Sequence, residues 1–428
     1  MKIELDYSSP SRIAKLIAFK RISLNITQEE LANGICSIPY LSKLENNKLE
    51  QPNKDTIHLL LEKLNVNLSS LENTQLEIQE LIANIFIFIN KKKDQEVEVC
   101  WSKLEKLITV TEDSFLAPYY LLIKLRYSLF KKDVKNAKLN KQELDKFRKV
   151  FTPDQTFYYY YFTGLFYSLD KNLEAGISFF EKAISFNLSE NLKLDKSYLI
   201  YHLALAHSLN KSAALALQYS KEALELFQNE MEFMRVIDCH ILIGINYTRT
   251  KQYQKALNHY NNILKLSLQL KDDSLIPKVH HNIGYLYSRQ KISDMAIEHY
   301  KKSLHSRKEQ DDNYLNTIYY LSKEYLKINE LQLAKYLLED GIRISLAANK
   351  EINHNFVRLK MLFLSIEDHS EDYLNFINDS AIPYYRDKND LTNLVECYKI
   401  MGDIYYDLKQ YKNSSIYYKL TIENSKEN

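Results

Sequence analysis

The chain has few of the residues that break helices. Glycine and proline each occur only 7 times among 428 residues. In a sequence rich in leucine, lysine, glutamate and isoleucine, so few breakers predict a nearly all-helical protein. The four cysteines are widely scattered and form no CxxC pair. This arrangement argues against a disulfide framework or a structural zinc site and suits a reducing cytoplasm.

Neither sign of charge dominates the chain. The formal net charge is +2, and residues 1–70 hold nine basic and eight acidic side chains, a net +1. Binding to a polyanion must therefore depend on local placement of charge and on dimerisation. The N-terminus has no apolar signal region, and the apolar run at 81–89 is too short to span a bilayer. We expect a cytoplasmic protein without a membrane partner, and a buried helix at 81–89.

Motifs of common catalytic and cofactor sites are also missing. The chain contains no GxxxxGK or GxGxxG loop, no HExxH and no GxSxG. His280, His281, His202 and His207 lie on predicted helices without the cysteine or carboxylate partners of a metal site. We therefore expect no enzyme activity, no cofactor and no metal.

Four helices are predicted near the N-terminus, at 11–21, 27–32, 37–45 and 52–64. Thr27 and Glu30 have the spacing of a capping box, and Ser37 is suited to cap the third helix. Gly34 permits a sharp turn between the second and third helices. Two short helices joined in this way form a helix-turn-helix, whose second helix enters the major groove of DNA. A four-helix cap that never touches DNA is the structural alternative.

On that geometry, side chains of the third helix and one at the start of the second face the DNA. The candidate DNA-binding residues are Gln28, Ser37, Tyr40, Ser42 and Lys43.

The rest of the chain repeats itself with a period of 40 residues. Gly164, Ala204, Gly244 and Gly284 mark this period, and Gly402 follows close to three periods later. An aromatic or histidine ring lies three residues after each of these small residues, at Tyr167, His207, Tyr247, Tyr287 and Tyr405. The partner helix then carries an Ala or Gly, followed by a second ring or small residue. This is the tetratricopeptide pattern, in which small residues let two antiparallel helices approach and rings fill the space to the next pair. The rings of Tyr167, Tyr247 and Tyr287 are expected to pack between helices.

The first helix of each hairpin should line a concave wall. The expected wall residues are Tyr158, Tyr161, Phe162, Tyr198, Tyr201, His202, Asp238, Arg249, Lys278, His281, Asn282, Tyr285, Arg289, Asn316, Tyr319, Tyr320 and Lys323. Aromatic side chains dominate the first half of this wall, and amides and cations the second half. An extended peptide needs both, since amides pair with its backbone, cations hold a carboxylate and rings take apolar side chains.

The segment TQEELANGICSIPYLSKLENNKLEQP resembles a Cro/repressor-type helix-turn-helix domain, over about residues 8–68. With the repeats, the chain resembles the peptide-pheromone receptors Rap, Rgg, NprR, PlcR and PrgX, and looks closest to the PlcR and NprR types. Pro39 departs from the pattern, because it stiffens the start of the recognition helix and removes a backbone donor. By this resemblance, wall asparagines hold a short signalling peptide, and Asn246, Asn282 and Asn316 are the candidates.

The sequence thus predicts a helix-turn-helix domain at 1–68, a linking helical hairpin at 69–112 and a tetratricopeptide-like α-solenoid at 113–428. We expect a transcriptional regulator that binds double-stranded DNA as a homodimer and is controlled by the peptide. The predicted peptide-binding residues are Tyr201, His202, Asn246, Arg249, Lys278, His281, Asn282, Asn316, Tyr319, Tyr320 and Lys323. Two alternatives stay open: a sensor that sequesters a response regulator or promotes its dephosphorylation, and a phage lysis-lysogeny regulator of the same build.

Overall fold

A computed structural model describes most of the chain, and every regular element in the described part is a helix. The described residues are 10–49, 51–66, 72–108, 116–186, 193–307, 309–348, 352–366 and 371–425. Contacts between Cα atoms divide the chain into two compact units, Met1–Thr250 and Lys251–Asn428. Within the described ranges, no helix is long and apolar enough to cross a membrane. The predicted domain boundaries stay a prediction, and parts of the predicted segments (1–9, 67–71 and 109–112) lie outside the described residues.

The first unit contains thirteen helices in its described part. They are α1 (Pro10–Ser23), α2 (Gln28–Ala32), α3 (Ile38–Glu45), α4 (Lys54–Lys63), α5 (Glu72–Asn90), α6 (Asp94–Ile108), α7 (Ala117–Phe130), α8 (Val134–Asp145), α9 (Pro153–Leu169), α10 (Leu173–Ile184), α11 (Lys193–Leu209), α12 (Ala213–Asn229) and α13 (Phe233–Arg249).

The helices described in the second unit continue this order. They are α14 (Tyr253–Leu270), α15 (Ile276–Arg289), α16 (Ser293–His305), α17 (Asp312–Lys327), α18 (Leu331–Ala348), α19 (His354–Leu364), α20 (Glu371–Phe376), α21 (Ile382–Asp387), α22 (Leu391–Asp407) and α23 (Tyr411–Ser425). A single π-helical turn, Ile377–Ala381, joins α20 to α21. This irregular stretch overlaps the part of the sequence where the repeat pattern degenerates.

The helix-turn-helix forms as the caps predict. The Thr27 side chain accepts a bond from the Glu30 amide, and the Glu30 carboxylate accepts one from the Thr27 amide, completing a capping box. Ser37 caps α3, and Gly34 takes a φ of +79° in the turn between α2 and α3. An apolar core joins the four helices, with Leu41 and Leu44 of α3 buried in it.

The predicted close approach within hairpins is present at several glycines. A β-carbon at Gly164 would lie 2.5 Å from the Phe180 ring, and one at Gly284 would lie 2.7 Å from the Tyr300 ring. A β-carbon at Gly402 would similarly meet Tyr418 at 2.8 Å. Since real β-carbons do not approach so closely, glycine is what allows each ring to lie flat against the partner helix.

Few glycines also mean that other residues must make the turns. Lysines take the left-handed backbone conformation between paired helices, with φ of +56° to +64° at Lys132, Lys171, Lys211, Lys291 and Lys409. A side chain with a β-carbon pays about 1–2 kcal/mol for this conformation. The packing of the paired helices must offset that cost at each turn.

Candidate functional site

The exposed surface of α3 is the first candidate site. Lys43 and Ser37 are exposed, whereas Tyr40 and Ser42 are half-buried. The Tyr40 phenol accepts a bond from the Asn53 amide at 2.9 Å, which ties α3 to the start of α4. Its hydroxyl hydrogen is not used in that bond and remains able to donate to another acceptor.

Gln28 was expected to be free to donate a hydrogen bond to a DNA phosphate, but its side chain is paired within the domain. Its Nε2 donates to the Glu45 carboxylate at 2.7 Å. Glu45 also accepts two bonds from Arg21, at 2.7 Å from Nε and 2.9 Å from Nη2. Sequence reasoning missed this junction of α1, α2 and α3, although Glu45 is only 4% exposed. It fixes the angle at which the recognition helix is presented.

In the first unit, four residues expected on the wall are core residues instead. Tyr158, Tyr161 and Phe162 are fully buried, and Tyr198 is only 2% exposed. The Phe86 ring of α5 packs edge-on against Tyr158 and lies 5.9 Å from the Phe162 ring. The prediction was wrong for these four because neighbouring helices cover this part of the array. The 81–89 run of α5 covers Tyr158 and Phe162, and Phe227 of α12 packs edge-on against Tyr198.

Tyr201 and His202 are half-buried on the neighbouring helix α11. His202 Nδ1 lies 2.8 Å from both the Tyr161 hydroxyl and the Tyr198 carbonyl oxygen. Burial, and then the positive charges of Arg126 and Arg235, lower the pKa of His202 to about 3. His202 is therefore neutral at physiological pH and offers hydrogen bonding rather than charge.

Asn246 is not at a surface. It is completely buried, where its Nδ2 donates to Ser208 Oγ at 3.0 Å and to the Leu242 carbonyl at 2.8 Å. Arg249, one turn later on α13, is exposed, and its Nη1 donates to Ser208 as well. Asn246 therefore joins α13 to α11, and in this conformation it cannot touch a ligand.

In the second unit, several of the predicted residues meet around α17. Tyr319 lies beneath the Lys323 ammonium, 5.5 Å from its ring centre, and Tyr320 packs edge-on against His281 at 5.6 Å. Asn316 Nδ2 lies 3.4 Å from His281 Nε2. Lys278 is exposed and Asn282 is half-buried on α15. This is the largest group of predicted peptide-binding residues that the structure brings together within one unit.

Arg358 of α19 is the residue that sequence reasoning missed here. Its Nη1 donates to Asn316 Oδ1 at 3.1 Å, and its guanidinium lies 4.0 Å from the centre of the Tyr319 ring. The signal was present as spacing, since Lys278, Asn316 and Arg358 follow one another at 38 and 42 residues. The repeat pattern around Arg358 is degenerate, so its position in the 40-residue register could not be recognised from the sequence.

A cavity of about 380 Å³ opens beside this group. Its lining residues are Asp312, Asn313, Leu315, Asn316, Ser345, Asn353, His354, Asn355 and Arg358. Most of these side chains carry amide, hydroxyl or charged groups, so the cavity can hydrogen-bond a polar ligand. No group of three His, Cys, Asp or Glu side chains that could hold a metal ion occurs in the described part of the chain.

Two family models match the chain, a helix-turn-helix at residues 17–71 and a tetratricopeptide repeat at 277–309. The transcriptional activator NprA of Geobacillus stearothermophilus is 28% identical over 401 residues, which cover 92% of this chain and 98% of NprA. Response regulator aspartate phosphatase I of Bacillus subtilis is 24% identical over 228 residues, covering 51% of this chain and 54% of the phosphatase.

Solved structures of NprR resemble the fold. The apo form of the quorum sensor NprR from B. thuringiensis is 26% identical, with a TM-score of 0.63 over 82% of this chain and 100% of that one. NprR in complex with its cognate peptide NprX is 27% identical, with a TM-score of 0.58 over 83% of this chain and 98% of that one. With its helix-turn-helix and its tetratricopeptide-like array, the chain resembles the transcriptional activator NprA and the quorum sensor NprR over most of its length.

Proposed function

We propose that the protein is a DNA-binding transcriptional regulator controlled by a short peptide that its helical array binds. The observation that carries the proposal is the pairing of a capped helix-turn-helix with an array similar to that of NprR, which was solved with a bound peptide. NprA, similar along nearly the whole chain, is a transcriptional activator. The protein is proposed to work in the cytoplasm, without catalytic activity.

In this proposal α3 enters the major groove, with Lys43, Ser37 and Tyr40 nearest the DNA. One helix-turn-helix with a net charge near +1 gives little electrostatic affinity, since non-specific affinity comes from neutralised phosphates. Two copies on a two-fold site add their contacts, so the protein is proposed to act as a homodimer. Peptide binding would change DNA affinity by favouring one arrangement of the two copies.

The proposed peptide contacts keep most of the predicted residues. In the first unit they are Tyr201, His202 and Arg249, and in the second unit they are Lys278, His281, Asn282, Asn316, Tyr319, Tyr320 and Lys323. Asn246 is left out because it is buried against Ser208. Half-buried amides such as Asn282 and Asn316 suit the backbone of an extended peptide, since each can donate and accept.

The DNA half of the proposal is tested by selecting duplexes from a random pool and measuring their affinity by fluorescence anisotropy. Lys43→Ala should weaken binding about 5- to 150-fold if Lys43 contacts a base, from the ~1–3 kcal/mol of such a contact. If it contacts a phosphate instead, the salt dependence should fall by about one ion. Lys103→Ala, at an exposed lysine of α6, is the matched control and should change neither. Enrichment of no duplex by the folded protein would refute the proposal.

The peptide half is tested on the same protein with Asn282→Ala. The variant should fold normally and bind a peptide captured from a random heptapeptide library at least about tenfold more weakly, from the loss of amide bonds to its backbone. Unchanged affinity would remove Asn282 from the site.

A second function is favoured by the similarity to response regulator aspartate phosphatase I. The array could also bind a phosphorylated receiver domain and shorten the life of its aspartyl phosphate. Measuring that lifetime with and without the protein distinguishes the two functions, because a regulator that acts only on DNA leaves the lifetime unchanged.

A further inference from the structure

The polar cavity between α17, α18 and α19 contains an arginine, Arg358, that no described carboxylate pairs with. Among the described residues, Arg358 makes no ion pair with a carboxylate; its contacts are the Asn316 amide and the rings of Tyr319 and Tyr320. Its Nη1 is taken by Asn316 Oδ1, and no described residue accepts a bond from Nε or Nη2. That edge of a guanidinium is the one that fits a carboxylate with two parallel bonds.

The Arg358 side chain is held ready for such a ligand. The guanidinium carbon lies 4.0 Å from the centre of the Tyr319 ring, a cation–π contact that restricts where the guanidinium can lie. The 3.1 Å hydrogen bond from Arg358 Nη1 to Asn316 Oδ1 restricts the rotation of the guanidinium over the ring. A cation held in place loses less entropy on binding than a free surface lysine or arginine.

A directed chain of hydrogen bonds explains why Asn316 presents its oxygen to Arg358. The Thr317 hydroxyl donates to the Asn313 carbonyl at 2.9 Å, so its oxygen must accept from His281 Nδ1, also at 2.9 Å. His281 then carries its hydrogen on Nδ1, and its Nε2 accepts from Asn316 Nδ2. The Asn316 amide is thereby oriented with its oxygen toward Arg358.

The charges around the cavity decide where an anion can lie. Asp312 is the one carboxylate among the lining residues, and it accepts a 2.7 Å bond from Asn355 Nδ2. Asp312 also lies in the first turn of α17, where the helix dipole offsets part of its charge. An anion would therefore lie against Arg358 and the start of α19, away from Asp312.

We propose that this cavity is the subsite for a carboxylate of the bound peptide, with the free edge of Arg358 as its counter-charge and specificity determinant. The inference rests on the proposed peptide-binding function and adds to it the charge of the group bound at this position. The volume of about 380 Å³ is enough for one acidic residue or the C-terminal residue of a peptide. A peptide without any carboxylate would leave the guanidinium edge without a partner.

The test uses the full chain and three random heptapeptide libraries. The first ends in a free carboxylate and contains no Asp or Glu, the second is C-terminally amidated and contains Asp and Glu, and the third is amidated with neither. Peptides retained by the protein are quantified by mass spectrometry, and their affinities are measured by calorimetry. Arg358→Gln, Arg358→Lys and, as control, Lys360→Gln on the same helix are run in parallel.

The wild type and Lys360→Gln should bind peptides of the first or second library about 10- to 100-fold more tightly than those of the third. Arg358→Gln should lose that preference while binding the third library as the wild type does, and Arg358→Lys should recover part of it. Preference for the first library assigns the C-terminus, and preference for the second an acidic side chain. Equal binding of all three by the wild type, or a preference kept by Arg358→Gln, would overturn the subsite alone. Retention of no peptide from any library would overturn the peptide-binding function itself.

Discussion

The junction at Glu45 gives a quantitative prediction for the helix-turn-helix. Glu45→Ala removes the acceptor of three hydrogen bonds, two from Arg21 and one from Gln28. Arg21 is left with a side chain only 13% exposed and no anion beside it. Removing one partner of a buried pair costs about 3–5 kcal/mol, because the other charge loses its counter-charge. Arg21 would keep the bond from Nη1 to the Ile26 carbonyl, at 2.9 Å. Glu45→Gln should cost less, because it keeps one acceptor oxygen and the packing.

Amide hydrogen exchange of α3 in the full chain measures this cost locally. A loss of about 3–5 kcal/mol speeds exchange by roughly two to four powers of ten, at about 1.4 kcal/mol for each tenfold change. Glu29→Gln, at an exposed glutamate of α2, is the matched control and should leave exchange almost unchanged. If Glu45→Ala changed α3 exchange by no more than this control, the junction would not hold the recognition helix, and the reasoning would fail.

Three further predictions concern packing, turns and pH. Gly284→Ala should lower the free energy of unfolding in urea by about 1–3 kcal/mol, because the new methyl meets the Tyr300 ring at 2.7 Å. Adding Tyr300→Leu to this variant should restore part of the lost stability. If the single and double variants were equally stable, this packing would be contradicted. Lys291→Gly should stabilise the protein by about 1 kcal/mol, because Lys291 has a φ of +63° in the turn. Lys265→Gly, within α14, should destabilise the protein by a similar amount. Stability changes of the same sign for both variants would refute the turn argument. The pKa of His202 is lowered to about 3, below its unfolded value of about 6.5. The contribution of His202 to the free energy of unfolding is therefore complete above pH 6.5 and is lost as the pH falls toward 3. His202→Gln should flatten the slope of unfolding free energy between about pH 4.5 and 6, and an unchanged slope would show that His202 is accessible to protons in the fold.

The fold followed from local sequence signals where those signals are strong. Capping residues and a glycine turn specify the N-terminal helices, and the 40-residue spacing of small residues predicts which helices approach closely. These signals act over a few residues or one repeat, so they can be read from the sequence without knowing which distant residues are in contact. The helix at 81–89 was predicted as buried, but its partner could not be named from the sequence.

The candidate site was harder to predict because it depends on what covers each helix face. Asn246 and Asn282 have the same residue type, and each lies two residues from the small residue of its repeat, yet one is fully buried and the other half-buried. The difference arises from Ser208, which offers Asn246 a partner on the adjacent helix. Arg358 was missed because its repeat unit is irregular, although its spacing from Asn316 is close to one period. Repeat register therefore identifies the helix face, and only the packed structure identifies which side chains on that face are open.

The central claim, that a peptide controls DNA binding, can be tested in one titration. A duplex selected by the full-length protein is titrated by fluorescence anisotropy without peptide and with a saturating library-selected peptide. Coupling of the two sites predicts a change in DNA affinity of about 5- to 150-fold, in either direction. Equal DNA affinity in the two titrations, with the peptide shown to be bound, would contradict the account.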